Sequence, residues 1–172
     1  MIAFYGNESQ ESGRLCLVAR TGGRVRRTRV WIDDFVWWPR SDAVLVAESN
    51  DETTNRLASY DLRTGRLTRL TGFWGGRTFL GPTFSPEGRR LAYGVGALEG
   101  SWVRVLEVRP GPATRRLANI PAPVALLNPV AWLPTGDRLL VCDGAAIWST
   151  RPDGKGRRKV VDDAALTTVL WK

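Results

Sequence analysis

Apolar and polar residues alternate with a period of two over short runs along the whole chain. Ala58-Ser59-Tyr60-Asp61-Leu62 and Val103-Arg104-Val105 show the alternation, while Leu15-Cys16-Leu17-Val18 and Val44-Leu45-Val46-Ala47 are apolar throughout, as strands covered on both faces are. Each run is closed by Gly, Pro, Asp or Ser, the residues that make tight turns. No stretch keeps a 3.6-residue period with capping residues, so no helix is expected. The pattern predicts short antiparallel strands joined by hairpins.

One stretch recurs. Pro82 to Tyr93 reads as a strand, a turn at Pro86-Glu87-Gly88 and a second strand. Phe35 to Val46 and Val130 to Val141 align with it, and Val169-Leu170-Trp171-Lys172 starts a further copy. The aromatic column is Trp37, Phe84, Trp132 and Trp171, all expected in the core. The proline column is Pro39, Pro86 and Pro134, spaced 47 and 48 residues apart. That spacing lies in or near the range of propeller blades. A second strand pair follows each copy: a run ending in Arg20, Arg63, Arg109 or Arg151, a turn, and a short basic strand. One repeat is therefore four strands, a to d. A four-stranded unit has two faces to bury, and packing copies face to face around an axis buries both. The expected fold is all-β, a β-propeller of about four four-stranded antiparallel blades in a single domain over residues 1–172. The expected blades are residues 1–30 plus 167–172, 31–72, 81–120 and 129–161.

The string Phe84-Ser85-Pro86-Glu87-Gly88-Arg89-Arg90-Leu91-Ala92-Tyr93, followed by an edge strand and a Gly turn, resembles the TolB-like propeller repeat. That repeat is a relative of the WD-repeat blade without its Gly-His and Trp-Asp signatures. The copy at 37–42 departs from it, since Trp38-Pro39-Arg40-Ser41-Asp42 has no glycine. The resemblance implies a binding platform and, by family analogy alone, the cell envelope or periplasm. No signal peptide is read before Ile2, and no apolar run approaches membrane-spanning length.

The two ends complement each other. Ile2-Ala3-Phe4 matches the b strand Leu91-Ala92-Tyr93, and the last residues match an a strand. Two readings stay open. Thr167–Lys172 pairs with Met1–Gly6 and closes a four-bladed ring, a monomer, or the chain is a piece of a longer propeller.

Net charge is +8, carried almost wholly by arginine, and histidine is absent. Without histidine there is no Ser-His-Asp triad, Cys-His pair or His-bearing metal site. The chain is therefore read as a non-enzyme without cofactor or metal. Cys16 and Cys142 lie in apolar runs and are expected as buried free thiols. Asp33-Asp34 and Asp162-Asp163 are sequence neighbours that a strand points to opposite sides.

Propeller geometry puts the b–c loops and d–a connectors on one face and the turns on the other. The first face is expected to be acidic, Glu48 included, and the second, with the outer d strands, basic, Arg138 included. The connector from Gly72 to Gly81 is read as a long loop whose aromatics and arginine suit a protein or peptide partner. The candidate contact set is Phe73, Trp74, Arg77, Phe79, Asp51, Glu52 and Glu99. Two alternatives stand beside this scaffold reading. One is a gating or substrate-selecting propeller fragment of a prolyl oligopeptidase-like hydrolase. The other is a polyanion or nucleic-acid binder acting through Arg26, Arg27, Arg69, Arg115, Arg116, Arg157 and Arg158.

Overall fold

The computed structural model describes residues 2–7, 13–39, 42–51, 54–72, 74–75, 77–97, 100–108, 114–121, 130–142 and 146–162. Fifteen strands follow one another, with no helix among the described residues: β1 (Ile2–Asn7), β2 (Gly13–Val18), β3 (Arg26–Trp37), β4 (Ala43–Asp51), β5 (Thr54–Asp61), β6 (Leu67–Arg69), β7 (Trp74–Gly75), β8 (Arg77–Phe84), β9 (Arg90–Ala97), β10 (Gly100–Val108), β11 (Thr114–Pro121), β12 (Val130–Trp132), β13 (Leu139–Cys142), β14 (Ile147–Thr150) and β15 (Arg158–Val161). All pairings are antiparallel between chain neighbours, apart from β7, which returns to pair with β5. β8 to β11 form one four-stranded sheet and β12 to β15 another. The β-propeller expectation holds.

β3 explains why the remaining strands form one path rather than two sheets. Its first half pairs with β2 and its second half with β4, and Ile32 is the shared residue, opposite both Gly13 and Glu48. The outer strand of the first sheet thus runs straight into the inner strand of the second. No glycine or proline interrupts Arg26 to Trp37, and the chain stays extended through Asp33-Asp34.

The sheets pack face to face in chain order. On β4, Val44 and Val46 meet the first sheet through Leu15, Leu17 and Ile32. Leu45 and Ala47 point the other way, to Phe79, Leu91, Tyr93 and Val95 of the third sheet. On β10, Val103 and Val105 turn to the fourth sheet and meet Trp132, Leu139 and Val141. Period-two alternation with both faces apolar is what such packing demands. Each buried Leu or Val contributes roughly 1.5–3 kcal/mol relative to exposure.

The Pro-x-Gly turns also stack. Gly88 and Gly136 both have φ of 73°. Pro39 of the second sheet lies on Gly88, and Pro86-Glu87 of the third lies on Gly136. Glycine is needed there twice, for its backbone angle and for the close approach. Trp132 adds a tie by donating its Nε1 hydrogen to the Thr83 carbonyl at 3.2 Å.

Three expectations change. Phe84 and Trp132 are buried, but Trp37 is 38% exposed. Its column faces the preceding sheet, and the described strands of that sheet, β1, β2 and the first half of β3, include no inner strand to cover it. Trp38 is the residue that packs on Phe84, with ring centroids 4.8 Å apart. Second, the connector after Gly72 is not a loop. Trp74 and Gly75 pair with Asn55 and Thr54, on a part of β5 that β6 leaves unpaired. Third, Arg138 is not a free charge of the basic face, because Ser149 and the Gly156 carbonyl hold it. Cys16 and Cys142 are buried and unbridged. Trp171 and the proposed pairing of Thr167–Lys172 lie outside the described residues.

Candidate partner-binding site

The first strands of successive sheets touch one another, β3 against β8 and β8 against β12, which defines an inner wall. Asp34 stands on that wall. Its Oδ2 accepts the Gly81 backbone hydrogen at 3.1 Å and its Oδ1 that of Phe35 at 2.7 Å. Gly81, at φ 53°, sits in the β8 irregularity that turns its N–H toward the carboxylate. Burial raises the Asp34 pKa above its ordinary 3.8, against the lowering effect of the two backbone hydrogen bonds. Asp33 is half-buried beside it.

Backbone register gathers several candidate residues at the hairpin end of the second and third sheets. Asp51 pairs with Thr54, Thr54 with Gly75, and Asn55 with Trp74. Arg77 opens β8 opposite Ala97, where β9 ends. Asp51, Trp74 and Arg77 therefore share one end of this interface. Phe73, Glu52 and Glu99 lie outside the described residues. Phe79 does not belong to the surface: it is 1% exposed and packs edge-on against Tyr93, with centroids 5.3 Å apart. Period two turns its ring into the interface, where a partner cannot reach it.

Polar groups that the sequence reading did not single out lie in the same interface. Tyr93 is fully buried and its hydroxyl has no hydrogen-bond partner among the described residues; Asn55 Oδ1 is likewise buried and unmatched among them. Burial pushes the Tyr93 pKa up, while Arg104 and Arg116 pull it down. Arg104, 5% exposed, donates from Nε to Asn119 Oδ1 at 3.0 Å. An arginine alternating with Val103 and Val105 was the available signal, since both faces of β10 are covered. On the opposite face of β4 and β5, toward the first sheet, Arg56 clamps Glu48 through Nη2 to Oε1 at 2.8 Å and Nε to Oε2. That pairing removes Glu48 from the expected acidic face.

At the opposite, turn end, a groove of about 450 Å³ lies between the third and fourth sheets. Arg90, Arg151, Glu107, Asp137 and Asp153 line it with mixed charge. The proposed polyanion residues Arg26, Arg27, Arg69, Arg116, Arg157 and Arg158 are exposed. They are spread over outer strands β3, β6, β11 and β15 or just before the last, and Arg115 is on β11. Arg157 also sits over the Trp148 ring, 4.2 Å from its centroid. No group of three or more carboxylate or cysteine side chains is arranged for a metal ion among the described residues. No described helix is long and apolar enough to cross a membrane.

No family model matches the sequence, and no curated protein matches it. Solved structures do match. A putative TolB from Agrobacterium tumefaciens is 19% identical, with TM-score 0.59, over 91% of this chain and 59% of that one. The chain has the fold of a TolB-like β-propeller. An oligogalacturonate lyase in complex with manganese is 13% identical, with TM-score 0.64, over 88% of this chain and 42% of the lyase. A puromycin hydrolase is 20% identical, with TM-score 0.60, over 85% of this chain and 27% of the hydrolase. The chain thus spans from about a quarter to three-fifths of these proteins.

Two of these similar proteins are enzymes, which overturns the expectation of a non-enzyme. Both enzymes contain a segment with the fold of this chain. Absence of histidine excludes particular catalytic devices, not an enzymatic role for the propeller.

Proposed function

We propose that this TolB-like propeller segment captures a protein or peptide at the hairpin end of the second and third sheets, as the substrate-selecting part of an enzyme. One observation carries the reading. The β7 addition to β5 brings the backbone positions of Trp74 and Arg77 to the same sheet end as that of Asp51, so that an aromatic, a cation and a carboxylate are carried by neighbouring strands. Aromatic and arginine anchors are the residue types that dominate binding energy at interfaces. Strand-borne residues hold such a constellation more firmly than a loop does. Similarity to a segment of the much longer puromycin hydrolase supports a propeller serving a larger enzyme. The half-buried Asp34 on the inner wall supplies a carboxylate able to orient an incoming N–H group.

The test is a fluorescence anisotropy screen of labelled, unstructured peptides of randomised sequence. Members that bind the native chain are then titrated against Trp74→Ala/Arg77→Ala. Loss of about tenfold or more in affinity, with an unchanged thermal melt, supports the site; each anchor then contributes on the order of 1 kcal/mol or more. Unchanged affinity, or no binder at all, contradicts it.

A further inference from the structure

The strongest unabsorbed feature is the c–d end of the first two sheets. Between Ala19 and Ile32 the chain holds five arginines, Arg20, Arg24, Arg26, Arg27 and Arg29, and no carboxylate. All five are exposed. Arg26 reaches across to the second sheet and donates from Nη2 to the Leu62 carbonyl at 3.2 Å. That bond joins the first sheet's turn to the second sheet's turn, which carries exposed Arg63 and Arg66. Positive charge of two blades is thereby made contiguous. The carboxylates at this end are Asp42 and Asp61. The Asp61 carboxylate lies on the surface of its own turn, where its Oδ1 accepts the Arg63 and Thr64 backbone hydrogens, so two carboxylates stand against the seven exposed arginines Arg20, Arg24, Arg26, Arg27, Arg29, Arg63 and Arg66. Between the third and fourth sheets the corresponding tie comes from Arg90 on β9, which donates from Nη1 to the Gly136 carbonyl at 3.1 Å, and not from a d strand.

We propose that Arg20, Arg24, Arg26, Arg27, Arg63 and Arg66 form a docking surface for the phosphodiester backbone of double-stranded nucleic acid, read without regard to sequence. Guanidinium groups bind phosphate oxygens in a planar fork. The patch lies on an outer edge strand and two turns, not in a slot, so it suits a rod that carries its charge on the outside. Val25 is the exposed large apolar side chain within it; Trp37, the exposed aromatic among the described residues, ends the inner-strand half of β3 and is on neither the outer strand nor the two turns. Base stacking by single strands needs such rings. Insertion into a lipid surface needs more apolar bulk than the lone Val25 supplies. The surface is independent of peptide capture, which uses the other end of the sheets.

The experiment measures duplex DNA binding against salt. Two triple variants are compared: Arg24→Gln/Arg27→Gln/Arg63→Gln in the patch, and Lys155→Gln/Arg158→Gln/Lys159→Gln at the far end of the row of sheets. Both remove three positive charges from exposed positions, and thermal melts verify that both remain folded. Each phosphate contact adds about 0.9 to the slope of log affinity on log salt. The patch variant is therefore expected to lose roughly two to three units of slope and most of its affinity, and the far-end variant little. Equal losses in the two variants, an unchanged patch variant, or no duplex binding by the native chain at low salt overturns the proposal. Tighter binding to heparin or to phosphatidylserine vesicles than to duplex DNA at the same salt also overturns it.

Discussion

Glu87 lies directly over Gly136: a methyl group on Gly136 would come within 2.6 Å of the Glu87 Oε2 and 3.4 Å of the Pro86 Cδ. The same arrangement places Pro39 on Gly88, where an added methyl would meet the Pro39 Cβ at 3.3 Å and its carbonyl oxygen at 3.5 Å. The glycine of the repeat is thus the socket for the turn of the sheet before it. Gly88→Ala and Gly136→Ala both force a left-handed angle on alanine, a cost of about 1–2 kcal/mol. Glu87 is flexible and can swing away, whereas Pro39 cannot. Urea unfolding is expected to show Gly88→Ala as the more destabilised of the two. The reverse order would mean that the turns do not stack.

Tyr93 has a fully buried hydroxyl with no hydrogen-bond partner among the described residues. An unmatched buried polar group lowers stability, so its removal is expected to help. Tyr93→Phe keeps the ring contact with Phe79 and is expected to raise unfolding free energy by about 1 kcal/mol. A loss of that size on chemical denaturation would show that the hydroxyl is bonded, for example by a buried water.

Asp34 and Asp61 titrate in opposite directions. Burial raises the Asp34 pKa above 3.8. Hydrogen bonds from Thr64, backbone first, lower that of Asp61 below 3.8. For Asp34 the folded state holds its proton more tightly than the unfolded chain. Its contribution to stability is therefore greatest at low pH and falls as pH rises from 3.8 through the folded pKa. For Asp61 the contribution is present above 3.8 and is lost as pH falls through the lower folded pKa. Carboxyl ¹³C NMR titration is expected to place the Asp34 midpoint above the Asp61 midpoint.

The hairpins, the four-strand repeat and the propeller class were legible because turn chemistry and period-two alternation are local. Pro86-Glu87-Gly88 announces its own geometry. What the sequence hid depends on neighbours distant along the chain. Trp37 occupies a core column, but burial requires an inner strand in the preceding sheet. Phe79 looked like a loop aromatic until β8 was seen to begin at Arg77, which sets its ring facing Tyr93. The Gly72–Gly81 connector pairs with β5 because that strand outruns β6, a length mismatch that no single motif encodes. Arg138 reads as surface charge, and only the packed sheet reveals the Ser149 hydroxyl and Gly156 carbonyl that hold it. At the candidate site the sequence supplied Asp51, Trp74 and Arg77, and the register of β5 with β7 brought them to one end.

Hydrogen–deuterium exchange of the native chain, with and without a bound peptide from the screen, tests the central claim most directly. Capture at the hairpin end of the second and third sheets predicts slower exchange in β7, the start of β8 and the facing ends of β4, β5 and β9, with the Pro86–Gly88 and Pro134–Gly136 turns unaffected. Protection confined to those turns or to the groove between the third and fourth sheets would place the partner at the opposite end and contradict the account.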